Sequence, residues 1–199
     1  MQITAIKQQE RLKGRYSIYV DEKYAFSLSA DALLAEKLVP GQEVDDAQLK
    51  TYKKLSQDDK AYGLALAYVA RRMRSRWELA DYFRRKGYEE ALSQQLLERL
   101  ERLGFVDDVS FAEAWVRNRR LLRSSSRRRL AQELKQKRIA EDIIDQVLAE
   151  DETDELMVLR ELVARKRKQS RYQDDLKLMQ YLARQGFGYD DIRRALRDD

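Results

Sequence analysis

The 199-residue chain has no cysteine, no histidine, one proline and only seven glycines. Without cysteine there can be no disulfide and no thiolate chemistry. Without histidine the usual general base near neutral pH and the commonest zinc ligand are both missing. Carboxylates with Mg²⁺ could still support catalysis, but the two absences weigh against an enzyme. No apolar run approaches the ~20 residues needed to span a bilayer. The opening MQITAIKQQE is neither a signal peptide nor an Arg-rich, acid-poor transit peptide. A soluble, cytoplasmic protein is the expectation. Few turn-formers beside many Leu, Ala, Arg, Glu and Gln favour short helices.

Charge is abundant. Charged residues make up 38% of the chain and the net charge is +5. Residues 1–59 hold 9 Lys/Arg against 10 Asp/Glu, and residues 60–199 hold 31 against 25. The basic excess belongs to the C-terminal part, which points to an anionic partner there, nucleic acid or an acidic protein surface.

The first part reads as strands. ITAIKQQ, RYSIYVD and YAFSL are short and rich in Ile, Tyr, Val and Phe, joined at Lys13-Gly14 and Asp21-Glu22-Lys23. ADALLAEKL reads as a helix stopped by Pro40-Gly41. DDAQLKTYKKL reads as a second, short helix capped by Asp45 or Asp46. From about Asp58 the period is helical, with Tyr62, Ala65, Leu66, Val69 and Met73 on one face. Ser75 to Glu78 fits a capping box. The helix it opens carries Leu79 and Phe83 and ends at Gly87. Leu92, Leu96, Leu100 and Leu103 mark a third helix, which ends at Gly104.

This three-helix pattern recurs. Leu79, Phe83, Tyr88 and Leu92 have the same spacing as Leu130, Leu134, Ile139 and Ile143, and Leu178, Leu182, Phe187 and Ile192 differ by one residue. Three copies at intervals near 50 residues predict a tandem helical repeat. The fold class expected is mainly α, with tandem three-helix, helix-turn-helix-like repeats behind a small β-rich N-terminal domain. The module is placed at 1–57 and the repeats at 58–105, 106–150 and 151–199. Asp107 or Asp108, Ser126, and Thr153 or Asp154 are the expected caps. The first helix of repeat two carries Phe111, Trp115, Val116 and Leu122.

Positive charge recurs in phase with the repeat. Arg71, Arg72, Arg74 and Arg76 fall at the first-to-second helix junction of repeat one. Arg119, Arg120, Arg123, Arg127, Arg128 and Arg129 fall at that junction of repeat two. Arg165, Lys166, Arg167, Lys168 and Arg171 fall there in repeat three. Arg84, Arg85, Lys86, Lys135, Lys137 and Arg138 close the first two middle helices, where favourable interaction with the helix dipole could account for several of them. One such cluster is usually a solvated face; three in the same phase favour a binding ridge. Trp77 lies beside these arginines and is the aromatic expected to touch a partner, whereas Trp115 follows the Phe111 face into the core. Asp58-Asp59, Asp107-Asp108 and Asp190-Asp191 fit helix capping better than metal binding. Ser124-Ser125-Ser126 has no evident triad partner. No Walker loop, GxGxxG or zinc spacing is present.

ALAYVARRMRSRWELADYFRRKGY resembles the central signature of the RecX family of recombinase regulators, and LERLGFVDDVSFAEAWVRNR resembles its next motif. QELKQKRI and YLARQGF sit where the second and third family repeats have their corresponding elements. The N-terminal ITAIKQQERLKGRYSIYVDEKYAFSL is similar to the β-rich extension of longer members. Arg138 stands where a family glycine is expected, and a side chain there calls for another cap geometry. The resemblance implies a binding protein rather than an enzyme. Its partners would be RecA and the RecA filament on DNA, with RecA's ATPase, strand exchange and coprotease activities restrained. DNA contact is possible, no membrane or cofactor is involved, and a monomer is expected. Two other classes stay open: a DNA-binding protein acting without RecA, and, weakest, a metal-dependent nuclease using paired aspartates.

Overall fold

Ile18 and Val20 are buried and Tyr19 between them is half-buried, the period-two pattern of a strand with one covered face. In the computed structural model, which describes residues 1–197, three strands form an antiparallel meander. They are β1 (Ile3–Gln8), β2 (Arg15–Val20) and β3 (Lys23–Ser29). The β2–β3 turn puts Asp21 and Glu22 at φ +47° and +66°, as a two-residue hairpin turn of the favoured hand requires. Asp21 is held there by a backbone N–H bond to the Gln2 carbonyl and by accepting the Gln2 N–H at 2.9 Å. Ser29 caps α1 (Ala30–Ala35), and Asp45 with Gln48 forms a full capping box at the start of α2 (Asp46–Val69). Ile3, Ile18, Val20, Phe26, Leu28, Leu38 and Val44 make the core of this region, with the Tyr52 ring stacked on Phe26 at 5.6 Å.

Helix α2 corrects the sequence reading. Ser56-Gln57-Asp58-Asp59 looks like the end of one helix and the cap of another, yet the helix runs unbroken for 24 residues. Asp59 sits inside it and caps nothing. Its carboxylate accepts from Arg15 Nη1 at 2.8 Å, the Ser29 N–H at 2.8 Å and the Ser29 hydroxyl at 2.6 Å. Packing of α2 on β3, with these bonds, overrides the weak helix propensity of the stretch. Met73 lies beyond the end of α2 and is exposed.

Contacts group the chain into two compact units, Met1–Arg72 with Glu89–Glu98, and Met73–Tyr88 with the chain from Arg99 onward. The helices after α2 are α3 (Arg76–Lys86), α4 (Glu90–Arg102), α5 (Asp108–Leu122), α6 (Arg127–Gln136) and α7 (Glu141–Glu150). Next come α8 (Glu155–Arg167), a 3₁₀ turn (Ser170–Tyr172), α9 (Asp175–Arg184) and α10 (Tyr189–Arg197). Ser75, Asp107, Ser126, Asp154 and Asp174 each accept a first-turn N–H. Phe111, Val116, Leu130, Leu134, Ile139 and Ile144 belong to one core, and Leu159, Val163, Leu178, Leu182, Phe187 and Ile192 to another. Leu122 departs from expectation, being 76% exposed. The buried face of α5 runs through Phe111, Ala112 and Val116, so one turn on it reaches Arg120, not Leu122.

Arg138 is a second departure. It does not adopt another cap geometry; the arginine itself takes the left-handed conformation at φ +59°. The N–H groups of Lys137, Arg138 and Ile139 bond the carbonyls of Glu133, Leu134 and Lys135 that the helix end leaves free. These bonds offset a left-handed penalty of roughly 1 kcal/mol for a residue with a Cβ. Arg138→Gly is expected to raise stability by about 0.5–1 kcal/mol, seen as a rise of a few degrees in Tm by circular dichroism.

Candidate partner-binding surface

The recurrent cations divide into those whose side chains are built into the fold and those that lie mostly at the surface. Arg120 is in the first group. Its side chain is 10% exposed and bonds Asp151 through Nε at 2.9 Å and Nη2 at 2.6 Å, and the Ser125 carbonyl through Nη1. Arg119 packs over the Trp115 ring and donates to Glu133 at 2.6 Å. Glu133 also accepts from the Trp115 indole N–H at 2.9 Å and from Arg129 at 3.3 Å. Burial alone would push the Glu133 carboxyl up. The hydrogen bonds from Arg119, Trp115 and Arg129, with the Arg119 charge, outweigh it and hold the group below its usual range. Lys137 pairs with Glu78 at 2.7 Å, and Arg167 with Asp175 at 2.5 Å and with the Tyr172 carbonyl. Trp115 packs on Phe111, as its spacing suggested.

The second group is exposed. Arg71, Arg72, Arg123, Arg127, Arg128, Arg165, Lys168 and Arg171 are exposed, as is Trp77, while Arg74 is half-buried. Arg127 also donates Nη2 to the Asp151 carbonyl at 3.0 Å. Arg76 is exposed but bridges to Glu101 at 2.6 Å. Arg84 and Arg85 both bridge to Asp81, and Lys86 lies over the Tyr82 ring. Lys166 lies over the Tyr172 and Tyr181 rings, and Arg171 over that of Tyr172. Arg165 donates to the Ser124 hydroxyl at 3.3 Å, which brings the basic junctions of repeats two and three side by side. Among the described residues, no three His, Cys, Asp or Glu side chains cluster as metal ligands. Asp107 caps α5, and Asp190 and Asp191 lie in the first turn of α10.

Within the second compact unit, one joint is used twice. Ser75 and Ser126 hold the same position in their repeats. Each accepts an N–H of its own helix and donates its hydroxyl to the carbonyl ending the next middle helix: Ser75 to Lys137 at 3.2 Å, Ser126 to Gln185 at 2.7 Å. Three residues on, Glu78 reaches the Lys137 side chain and Arg129 reaches that of Gln185, at 2.7 and 2.5 Å. The N–H of Arg76 donates to Asp108 at 2.7 Å, and that of Arg127 to Glu155 at 3.0 Å. Asp108 and Glu155 each open the first helix of a repeat. Burial holds the Asp108 carboxyl above its ordinary value against the Arg76 N–H. Asp174 occupies the serine position in repeat three and, as a carboxylate, has no hydroxyl hydrogen to donate.

Gly186 belongs to this joint and cannot be replaced as Arg138 can. Its φ is +91°, and an added Cβ would lie 2.5 Å from Ser126 Oγ and 3.3 Å from the Arg129 nitrogen. Gly186→Ala is expected to cost about 1–2 kcal/mol by chemical denaturation, opposite in sign to Arg138→Gly. The partners of the joint and of the buried cations escaped the sequence reading because Gln185, Glu133 and Asp151 carry no motif of their own. The matched phase of Ser75 with Ser126, and of Lys137 with Gln185, was the available signal.

Recurrent three-helix units, joined in register within the second compact unit and preceded in the chain by a small antiparallel sheet, make this a tandem helical-repeat protein. Four family models match it in order: the regulatory protein RecX N-terminal domain over residues 1–45, and the RecX first, second and third three-helix domains over 61–109, 107–148 and 152–196. The chain belongs to the RecX family. It is 36% identical over 116 residues to a regulatory protein RecX of Lactobacillus johnsonii, covering 58% of this chain and 42% of that one. It is 32% identical over 117 residues to that of Listeria innocua, covering 59% and 44%. The match thus spans less than half the length of these relatives. A crystal structure of a regulatory protein RecX superposes with a TM-score of 0.77 at 27% identity, covering 100% of this chain and 99% of the other. The fold is shared as well with RecX from Lactobacillus salivarius, at a TM-score of 0.62 and 24% identity over 71% of this chain and 95% of that one.

Proposed function

We propose that the chain is a cytoplasmic regulator that binds RecA and its filament on DNA and restrains recombinase, ATPase and coprotease activity. It acts by binding, as a monomer, without catalysis or cofactor. Membership of the RecX family is the observation that carries this reading. The exposed arginines of repeats two and three support it, because Arg123, Arg127 and Arg128 stand beside the Arg165 junction and offer charge to an acidic surface. The proposed partition is a β-rich module at 1–57 followed by repeats at 58–105, 106–150 and 151–199.

The test is RecA ATPase on single-stranded DNA, titrated with this protein. Activity should fall at substoichiometric ratios, since one ligand lodged on a filament can block extension or affect several subunits. Unchanged ATPase and strand exchange at equimolar protein would overturn the reading. Replacing Arg123, Arg127 and Arg128 together by Gln should slow association with the filament and flatten its salt dependence. Arg123→Gln and Arg128→Gln should each alter folding stability by less than ~0.5 kcal/mol, and Arg127→Gln, which loses a bond to the Asp151 carbonyl, by about 1 kcal/mol. If binding to bare DNA falls instead, its salt slope dropping by about one per lost contact, the cluster serves RecA-independent DNA binding.

A further inference from the structure

Helix α6 carries a polar stripe, mostly uncharged, that neither the charge pattern nor the repeat joint accounts for. Arg128, Gln132 and Gln136 recur every four residues and form one stripe along it. The stripe lines a groove of about 410 Å³ whose other wall is the end of α9, with Arg184, Gln185 and Gly186. Gln185 and Gly186 are fixed by the joint. Arg128, Gln132, Gln136 and Arg184 are not: among the described residues their side chains have no hydrogen bond, ion pair or ring contact. The groove therefore presents two guanidinium groups and two carboxamides with their bonding capacity unused.

We propose that this groove docks an extended, acidic peptide segment of a protein partner, a site that rests on the reading of the chain as a RecA-binding regulator. Residues four apart on a helix recur at roughly 6 Å along its axis. Same-side positions of an extended peptide recur at roughly 6.6 Å, so Gln132 and Gln136 fall in step with every second backbone amide, those that face one side of the strand. A carboxamide both donates and accepts, as does a peptide group. Arg128 and Arg184 set the sign of the side chains that the segment must carry. The one acid in the groove, Glu133, does not cancel them, because Trp115, Arg119 and Arg129 already bond it. A single-stranded nucleic acid would also meet the arginines, but none of the lining residues is aromatic, so bases would have no stacking platform.

The test uses the full chain, a fluorescein-labelled decapeptide of alternating Asp and Thr, and a labelled ten-residue oligothymidylate, followed by anisotropy. The peptide should bind saturably below about 1 mM. Gln132→Ala with Gln136→Ala should weaken it about tenfold, the loss expected from two hydrogen bonds, and leave oligothymidylate binding unchanged. Arg128→Gln with Arg184→Gln should weaken both probes. Thermal melts serve as the folding control, since alanine is well tolerated in an exposed helix. The proposal is overturned if the peptide fails to saturate, if the double glutamine variant binds it as before, or if that variant loses both probes equally. RecA ATPase separates the two levels. Failure of the wild-type chain to inhibit would sink the regulator reading, whereas wild-type inhibition unaltered in the glutamine variant would sink the groove alone.

Discussion

Asp151→Ala should destabilise the protein by about 3–5 kcal/mol, which for a chain of this length lowers Tm by roughly 10 °C. The carboxylate accepts two bonds from Arg120, at 2.9 and 2.6 Å, and two from Thr153, and its side chain is 9% exposed. Without it the Arg120 guanidinium stays buried and charged, because arginine does not deprotonate in proteins, and keeps the Ser125 carbonyl as acceptor. The cost is that of an uncompensated charge, so Arg120→Met combined with Asp151→Leu should recover much of it. Urea unfolding of the single and double variants measures both. A loss under about 1 kcal/mol for Asp151→Ala would match an exposed pair and return Arg120 to the surface set.

The same carboxylate predicts a pH dependence. Burial alone would raise the Asp151 pKa, but the hydrogen bonds from Thr153 and Arg120, with the Arg120 charge, outweigh it and lower the value. Its contribution is therefore fully present above the ordinary carboxylate pKa of 3.8 and is lost as pH falls through the lower native value. Glu133 is lowered too and acts in the same direction. Asp108, raised by burial, acts in the opposite direction: its contribution is fully present below the ordinary value of 3.8 and is lost as pH rises through the higher native value. Asp151→Ala should accordingly flatten the acid limb of a stability–pH curve.

Asp59→Ala should have the second large effect, about 3 kcal/mol, with loss of cooperativity in the first compact unit. Asp59 is 9% exposed and Arg15 14%, and three donors from Arg15 and Ser29 converge on the carboxylate. Arg15 would keep the Ser27 and Ser56 carbonyls and the Ser27 hydroxyl, so the loss should fall toward the low end for a broken buried pair. A helix N-cap is typically worth about 1 kcal/mol. The measured value therefore discriminates between a cap at this position and a residue buried in mid-helix against the sheet.

Local structure was legible because local residues decide it. The Ile-, Tyr- and Val-rich RYSIYVD announced a strand, Ser75 and Ser126 announced helix starts, and the shared spacing from Leu79, Leu130 and Leu178 announced the repeat. Each signal lies within a few turns, where side-chain period and backbone capping act directly. The reading failed where a distant contact overrode the local signal, as at Asp58-Asp59, or where an isolated rule was too strict, as at Arg138.

The candidate site was less legible. The sequence by itself determined the repeat, the caps and how much positive charge each junction carries. Only the tertiary structure decided which of those charges remain available to a partner. Arg120 and Asp151 are 31 residues apart and Glu78 and Lys137 are 59 apart, and no periodicity within a helix encodes such pairings. A cation in sequence is a donor without a known acceptor, and its freedom depends on which acid the fold brings to within about 3 Å. Gln132 and Gln136 show the converse: neither charged nor apolar, they carry no signal until α9 closes the other side of their groove.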